Sequence, residues 1–465
     1  MSYKEGPARR QPSRPVKGIG PRLPDSLDLV IVNGMAATPN GIGRCDVGVR
    51  GGQIVALGDL GKAKAAETID AKGLHILPGA IDTQVHFREP GNEHKEDLNT
   101  GTAGAVLGGV TCVFEMPNTK PPTLTQAALE DKLKRAEGRA WCDHAFFIGA
   151  SASNVDELAD LEMLPGCCGV KIFMGSSTGG LLVEDDETLE RVLAGGYRRC
   201  AVHAEDEPRL KQRRPIADQS QDPASHPEWR DAESALLATR RLLQIARKVH
   251  RRIHVLHVTT AEEIDLLAEN KDIATVECTP QHLTLAGPEC YKRLGTKAVM
   301  NPPIRDERHR AGLWHGIAEG IVDVIGSDHA PHTLEEKGQG YPKSPSGMPG
   351  VQTLLPLLLD HHAQGRLTLE RVVDLTATGP ARIYNIAMKG RIAVGYDADF
   401  VLVDLKAKRE ITDADSASRC GWTPFAGMKI TGWPMQTILR GHTVMRDGEL
   451  LDDPLGKPVR FLETL

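Results

Sequence analysis

Eight short apolar runs dominate the middle of the chain, and each is separated from the next by a longer stretch with helical periodicity. Runs of four to nine residues bounded in this way are typical of buried parallel strands. Eight strands alternating with helices predict a (β/α)8 barrel. The predicted strands are residues 79–87, 110–116, 144–149, 169–174, 200–204, 253–258, 274–278 and 322–328.

The two ends of the chain have a different pattern, in which short β-type runs are separated by glycine-containing turns. Such runs predict strands joined by tight turns. We therefore expect residues 27–76 and 390–465, which include the C-terminal tail, to form a small β-sandwich domain. The barrel, residues 77–389, would be inserted between its halves. Residues 1–26 are rich in Arg, Lys, Pro and Gly and predict a disordered N-terminal arm.

Composition narrows the choice of partners and compartment. The 56 Lys and Arg residues against 62 Asp and Glu residues give a net charge of -6, which argues against nucleic acid as a partner. No run is long and apolar enough to span a bilayer, and the N-terminus lacks the apolar core of a signal peptide. Nine cysteines without a CxxC pair are typical of reduced thiols. We expect a protein of the cytoplasm that binds neither nucleic acid nor membranes.

Polar residues with metal-binding chemistry recur at the ends of five predicted strands. In a barrel these ends meet at one face, where active sites lie. Three imidazoles and a carboxylate are typical of a zinc site that leaves positions open for water. A lone strand histidine is more often a core residue, but the recurrence along one barrel favours a metal site. The residues are Gln84, His86 and Arg88 on the first strand, Lys171 on the fourth, His203 on the fifth, His257 on the sixth and Asp328 on the eighth.

Lys171 and His254 differ from the other polar residues of the predicted strands. Lys171 lies within an apolar strand, where an ammonium is costly to bury. Reaction with carbon dioxide would convert it to an anionic oxygen ligand, which we state as a hypothesis. His254 shares a strand with His257 but lies three residues earlier, so we expect it to face the helices. Four further histidines have no comparable placement: His75, His94, His144 and His250.

Ten motifs spread from about Leu27 to Phe461 resemble the cyclic amidohydrolases, and within them the dihydroorotases. The family's HxHxREPG pattern is present as QVHFREPG from Gln84, and the remaining motifs follow in the family's order. They are HKED at 94–97, MPNT at 116–119, GVKIFM around 171, HAE from 203, HVTT from 257, TPQHL at 279–283, MNPPIR at 300–305, SDHAPHTLEEK at 327–337 and SGMPGVQT at 346–353.

The resemblance implies a zinc-dependent hydrolase with one or two ions and a carboxylated Lys171. It implies that Asp328 is both a ligand and the proton acceptor, and that the substrate is the small molecule dihydroorotate. Arg88, Asn118 and His332 would bind the ring carboxylate, and Asn301 would orient the ring. Allantoin and simple hydantoins carry no equivalent carboxylate, so these contacts distinguish the substrates.

The chain departs from the family at two positions. Gln84 replaces the first histidine of HxH, and a carboxamide oxygen is a weaker zinc ligand than imidazole. Three outcomes are open: a binuclear centre with one looser metal, a single tightly held metal, or an inactive relative. Retained activity is favoured because the other ligands and the carboxylate-binding residues are present. Gln281 replaces a histidine of TPHHL, with an effect that the sequence leaves open.

Two alternatives to a dihydroorotase follow from the same residues. One is another cyclic amidohydrolase, such as an allantoinase or a dihydropyrimidinase- or hydantoinase-like enzyme, since these share the metal ligands. The other is a non-catalytic scaffold that binds aspartate transcarbamoylase. The resemblance further implies a homo-oligomer.

Overall fold

The computed structural model describes residues 26–176 and 181–465. The predicted N-terminal arm, residues 1–26, therefore lies almost entirely outside the described residues. In the described part of the chain, no helix combines the length and apolarity needed to cross a bilayer.

The central sheet is the predicted parallel barrel. Its eight strands pair in sequence order, and a parallel bridge between Val85 and His329 joins the last strand's extension to the first. All eight sequence-predicted strands are confirmed. In chain order the barrel strands are β8 (Ala80–Val85), β9 (Val110–Glu115), β10 (Asp143–Gly149), β11 (Cys167–Phe173), β12 (Cys200–His203), β13 (Ile253–Val255), β14 (Ala274–Cys278) and β15 (Val324–Ile325).

Helices follow the barrel strands and cover the outside of the sheet. Most begin at an Asp or Thr whose side chain accepts a hydrogen bond from the first turn, as at Asp97, Thr260 and Asp306. The helices are α1 (Leu98–Leu107), α2 (Gln126–Ala136), α3 (Leu158–Leu161), α4 (Asp186–Ala194), α5 (Glu207–Gln219), α6 (His226–Trp229), α7 (Ala232–Lys248), α8 (Ala261–Ala268), α9 (Pro280–Thr284), α10 (Glu289–Leu294), α11 (Glu307–Ala318), α12 (Leu334–Lys337), α13 (Leu354–Ala363), α14 (Leu369–Val373) and α15 (Gly379–Ile383).

The small domain consists of a four-stranded sheet, ordered β5-β4-β1-β6, and a seven-stranded sheet, ordered β19-β18-β17-β16-β7-β2-β3. Its strands are β1 (Leu27–Val32), β2 (Met35–Thr38), β3 (Gly41–Arg44), β4 (Asp46–Arg50), β5 (Gln53–Gly58), β6 (Ala65–Asp70), β7 (His75–Pro78), β16 (Phe400–Glu410), β17 (Lys429–Leu439), β18 (His442–Arg446) and β19 (Glu449–Leu450). Ile31 and Val47 of one sheet share a buried cluster with Phe400 and Ile438 of the other. The antiparallel pairing of β16 with β7 joins the two ends of the chain, as the sequence predicts.

Four aromatic side chains belong to one buried cluster with residues of several barrel strands: Phe114, Phe147, Tyr384 and Phe461. Phe114 packs edge-on against Phe147 and Tyr384, with ring centroids 6.2 and 5.2 Å apart. Phe461, close to the C-terminus, lies 5.8 Å from Phe114 and is buried. These rings fill part of the barrel interior, whereas the predicted ligand residues lie at or just beyond the carboxyl ends of the strands.

Candidate active site

The predicted ligand residues converge at the carboxyl ends of the barrel strands, and all are buried. Lys171 and His203 lie on β11 and β12, whereas His86, His257 and Asp328 lie just beyond β8, β13 and β15. His257 and Asp328 adopt positive φ angles of 37° and 44°, a region that costs energy for side-chain-bearing residues. Such strain is typical of functional sites, where the surrounding structure fixes the side chains.

Asp328 is the centre of one group of ligands. Its Oδ1 lies 3.2 Å from His86 Nε2 and accepts a hydrogen bond from Gln84 Nε2 at 3.1 Å. His86 Nδ1 lies 2.7 Å from Asn118 Oδ1, an arrangement in which Nδ1 carries the proton. His86 Nε2 is then the unprotonated nitrogen and faces the carboxylate, as metal ligands do when a second residue orients the imidazole.

His203 and His257 form the second group. His203 Nε2 lies 2.8 Å from Glu205 Oε2, so His203 donates to the carboxylate and its Nδ1 is unprotonated. That Nδ1 lies 3.1 Å from His257 Nε2. Burial lowers the pKa of both imidazoles, so both are neutral. Two nitrogens bound to one tetrahedral zinc ion at 2.0–2.1 Å would be about 3.3 Å apart, so the observed spacing suits a shared ion.

Lys171 lies among these ligands. Its charge lowers the pKa values of His86, His203 and His257. Within the described part of the chain, no carboxylate forms an ion pair with its Nζ, which lies 4.5 Å from the centre of the Phe173 ring. Burial lowers the pKa of Lys171 to about 7, which leaves a substantial neutral fraction at physiological pH.

The donor set fits a metal centre. Among the described residues, Gln84 Oε1 and His257 Nδ1 are buried without a hydrogen-bond partner, which is costly in a protein interior. Unprotonated imidazole nitrogens and a carboxylate oxygen converge beside them, and these are the atoms that zinc prefers. Gln84 contacts Asp328 through its nitrogen rather than its oxygen, so its role as a ligand stays a prediction.

Arg88 and His332 lie together beside the ligand groups, and both are buried. Arg88 Nη2 lies 3.3 Å from His332 Nε2, and Arg88 Nε donates to Pro331 O at 3.2 Å. Burial lowers the pKa of Arg88 to about 10, so the guanidinium is cationic at neutral pH. A buried cation with donors pointing inward can bind an anionic group of a substrate.

Asn118 and Asn301, the other predicted substrate residues, have different neighbours. Asn118 contacts His86, as described above, and thus lies on the ligand side. Asn301 is half-buried, and its Oδ1 lies 2.9 Å from His226 Nε2. The carbonyl of Asn301 is therefore held by the protein, which leaves the amide NH2 group for other contacts. The contacts of these two residues with substrate stay predictions.

Residues 201–444 match the Amidohydrolase family, and residues 73–162 match the Dihydro-orotase-like family. The chain belongs to the amidohydrolase family.

The relatives of this amidohydrolase include more than one type of enzyme. A dihydroorotase of Methanothermobacter thermautotrophicus is 36% identical over 412 residues, which cover 88% of this chain and 92% of that protein. An allantoinase of Deinococcus radiodurans is 34% identical over 447 residues, 94% of this chain and 99% of that protein. Among solved structures, the L-hydantoinase of Arthrobacter aurescens has a TM-score of 0.88 and 29% identity, and covers 93% of this chain and 99% of that one. The chain is a cyclic amidohydrolase.

The structure adds residues to the site of this amidohydrolase that sequence reasoning did not assign. Glu205 orients His203, and Arg230 donates hydrogen bonds to both oxygens of Glu205. Glu205 lies two residues after His203, just beyond the end of β12, and its place in the HAE motif was a usable signal. Arg230 and His226 lie on the connection between α5 and α7 and carry no such signal.

The prediction for the orientation of His254 is wrong. It does not face the helices: its Nδ1 lies 2.8 Å from Thr275 Oγ1, and its ring packs against Tyr384 inside the barrel. The expectation assumed unbroken strand alternation, but β13 ends at Val255 and His257 has a positive φ. His254 and His257 therefore both point inward. His254 belongs to a buried polar layer with Glu277, whose pKa burial raises to about 8.

Gln281, the second departure from the family pattern, lies beside the site. Its Nε2 donates to Ser327 O at 2.7 Å, and Ser327 directly precedes Asp328. Gln281 therefore holds the backbone next to Asp328, a role for which an amide donor is sufficient.

Another group of acidic residues has the spacing of metal ligands but a different function. Asp143, Asp397 and Asp399 cluster within the described residues. Lys389 Nζ lies 2.7, 3.2 and 2.5 Å from their carboxylates. The ammonium takes the place that a cation would need, so this cluster is an ion-pair network between the barrel and the small domain.

Proposed function

We propose that this amidohydrolase is a dihydroorotase that reversibly hydrolyses L-dihydroorotate to N-carbamoyl-L-aspartate in pyrimidine biosynthesis. The observation that carries the proposal is the buried, cationic Arg88 next to the neutral His332, beside the converging ligand residues. Dihydroorotate has a ring carboxylate that requires such a site. The dihydroorotase relatives support the same assignment.

The cofactor that suits these residues is zinc, as one or two ions. We propose that His86, Lys171, His203, His257 and Asp328 hold it, with Gln84 on the side of His86. When bound, zinc would act as a Lewis acid that lowers the pKa of water and polarises the ring carbonyl. A neutral Lys171 amine can react with carbon dioxide, and the resulting carbamate would supply anionic oxygen ligands.

Substrate binding and proton transfer are assigned to different residues of the chain. Arg88, with His332 and Asn118, would bind the substrate carboxylate, and Asn301 would orient the ring. Asp328 would accept the proton of the attacking water as the new carbon–oxygen bond forms. It would return that proton to the ring nitrogen as the carbon–nitrogen bond breaks. The reverse sequence closes the ring.

The cellular setting follows from the same proposal. The nine cysteines are all unpaired, which suits the reducing cytoplasm. We propose a homo-oligomer there and, as a further possibility for testing, association with aspartate transcarbamoylase.

The direct test compares dihydroorotate, allantoin and dihydrouracil as substrates of the purified, zinc-loaded protein. Turnover of dihydroorotate with little turnover of the other two is the expected result. A preference for allantoin or dihydrouracil would contradict the proposal and would indicate an allantoinase or a dihydropyrimidinase-like enzyme instead. The glutamine at position 84 favours a second candidate function, a non-catalytic scaffold that binds aspartate transcarbamoylase. Absence of activity and of bound zinc, together with binding to aspartate transcarbamoylase, would support this second function.

Arg88→Ala is expected to weaken substrate capture. Loss of one partner of a buried charged contact costs about 2–5 kcal/mol, so the KM for dihydroorotate should rise roughly 30-fold or more. Steady-state kinetics with matched zinc content provide the measurement. Arg88→Lys keeps the charge but loses the planar guanidinium, so its KM should lie between those of the wild type and Arg88→Ala. An unchanged KM in Arg88→Ala would contradict the carboxylate role.

Gln84→His is expected to increase the zinc retained per chain after gel filtration, because imidazole is a stronger zinc ligand than a carboxamide. Metal analysis of the protein is the measurement. Gln281→His is a matched control. It restores the family's histidine at the other position where the chain departs from the pattern, and Gln281 contacts Ser327 O. Equal zinc content in the wild type and Gln84→His would show that residue 84 does not face the metal.

A further inference from the structure

Lys95, a lysine outside the predicted substrate contacts, touches His332, one of the residues proposed to bind the substrate carboxylate. Lys95 lies in the connection between β8 and α1, and its side chain is 14% exposed. Its Nζ is 3.1 Å from His332 Nδ1 and 2.9 Å from Glu336 Oε1. The other oxygen of Glu336 accepts from Thr333 N at the start of α12 and lies 3.7 Å from His332 Nδ1. Lys95 is thus anchored on one side and contacts His332 on the other.

The contact determines which nitrogen of His332 carries the proton. An ammonium group has only donors, and Lys95 is nearer to His332 Nδ1 than the carboxylate oxygen Glu336 Oε2 is, at 3.1 against 3.7 Å, so Nδ1 is the acceptor. The ring proton is then on Nε2, which donates to Ser346 O at 3.0 Å; Arg88 Nη2, which has only donors, lies next to it at 3.3 Å. Burial and the charges of Arg88 and Lys95 lower the pKa of His332 to about 3, so a second proton is absent. The single N–H of His332 therefore lies beside the guanidinium and donates to Ser346 O, and a carboxylate bound at Arg88 would take the place of that carbonyl as acceptor.

We propose that Lys95 is a positioning residue for substrate carboxylate capture. It fixes His332 as an Nε2–H donor beside Arg88 and places a second positive charge behind the imidazole. Without Lys95, the tautomer with the proton on Nδ1 becomes accessible, and its bare Nε2 would repel a carboxylate oxygen. This inference rests on the proposed function, because it assumes that the anion bound at Arg88 is the carboxylate of the substrate.

Glu336 limits the effect of the second charge. Its carboxylate pairs with Lys95, and the proximity of His332, Lys95 and the Thr333 N–H holds its pKa well below the usual range. Glu336 is therefore anionic throughout the neutral range. It fixes the Lys95 side chain and partly neutralises its charge.

The test is Lys95→Met in the zinc-loaded full-length protein. The KM for dihydroorotate should rise about 10- to 100-fold, in line with the loss of a charge-assisted contact, while kcat changes less than about threefold because Lys95 does not touch the reacting atoms. The KM for N-carbamoylaspartate in the reverse direction should rise in parallel. Zinc content should be unchanged. Lys95→Arg, which keeps a cationic donor, should restore most of the affinity.

Lys120→Met is the matched control. Lys120 is exposed and close enough for its charge to lower the pKa of Lys95, so its removal deletes the same charge without a contact to His332. Its KM should stay within about twofold of the wild type, as expected for a screened charge. If Lys120→Met and Lys95→Met raise KM equally, general electrostatic attraction explains the effect and the positioning role is wrong.

The remaining outcomes separate the two proposals. No turnover of dihydroorotate by the zinc-loaded wild type contradicts the proposed function. Normal turnover by the wild type with an unchanged KM in Lys95→Met contradicts only the role of Lys95. A parallel loss of kcat, zinc and thermal stability would make Lys95 a structural residue and also overturn the inference. If Lys95→Met does not fold, Lys95→Gln removes the charge with a polar side chain, and the same KM criterion applies.

Discussion

Replacement of Asp328 by asparagine is expected to reduce kcat for dihydroorotate by about 10²- to 10⁴-fold, the usual contribution of a general base, while zinc stays bound. Asparagine has nearly the same shape and can still accept the hydrogen bond that Gln84 Nε2 donates to Oδ1. The change removes the ability to accept the proton of the attacking water. Steady-state kinetics and metal analysis on the same preparation measure both quantities.

Asp323→Asn is the control for Asp328→Asn. Asp323 immediately precedes β15, at the opposite end of the strand, where it pairs with Lys271. The same chemical change there should leave kcat unchanged. Full activity of Asp328→Asn would end the assignment of Asp328 as the proton acceptor, and loss of zinc together with activity would reduce its role to that of a ligand.

Replacement of Lys171 by alanine is expected to lower both zinc content and kcat, with activity reduced by at least about 10²-fold. Removal of groups that only orient metal ligands already costs about 10- to 100-fold, and Lys171 is proposed to be a ligand itself. The substitution also leaves a small cavity among His86, His203 and His257. Formate or acetate, added to the variant, supplies a carboxylate in place of the lost carbamate and should restore part of the activity.

The carbon dioxide hypothesis has its own measurement. Native mass spectrometry of the zinc-loaded protein should show an additional carbamate mass that disappears in Lys171→Ala. Purification in carbonate-free buffer should lower the zinc content of the wild type, and bicarbonate should restore it. An unmodified Lys171 amine in zinc-loaded protein would contradict the hypothesis, whatever the effect of the alanine variant on activity.

The barrel was predictable because its strands differ sharply from their surroundings. Fully buried parallel strands require continuous apolar runs, and all eight runs are strands in the structure. The order of His86, Lys171, His203, His257 and Asp328 was also sufficient to place them at one face, because parallel strands in a barrel end on the same side. This reasoning needs only the direction of each strand.

The face that a side chain occupies was less predictable near the strand ends. The run from Ile253 to Val258 suggested six residues of strand, whereas β13 has three. Alternation applies only while the backbone stays extended, and the positive φ of His257 ends it. For this reason the sequence misplaced His254 but still placed His257 correctly at the carboxyl end of its strand.

The sequence alone determined the architecture and the kinds of side chain at the site, because hydrophobic periodicity and residue chemistry are local properties. Only the tertiary structure decided the partners that fix each polar group: Asn118 for His86, Glu205 for His203, His226 for Asn301 and Lys95 for His332. These partners come from different loops, and their distances depend on how the loops pack over the barrel. The protonation state and orientation of each polar side chain at the site therefore depend on the tertiary structure, which brings these partners together.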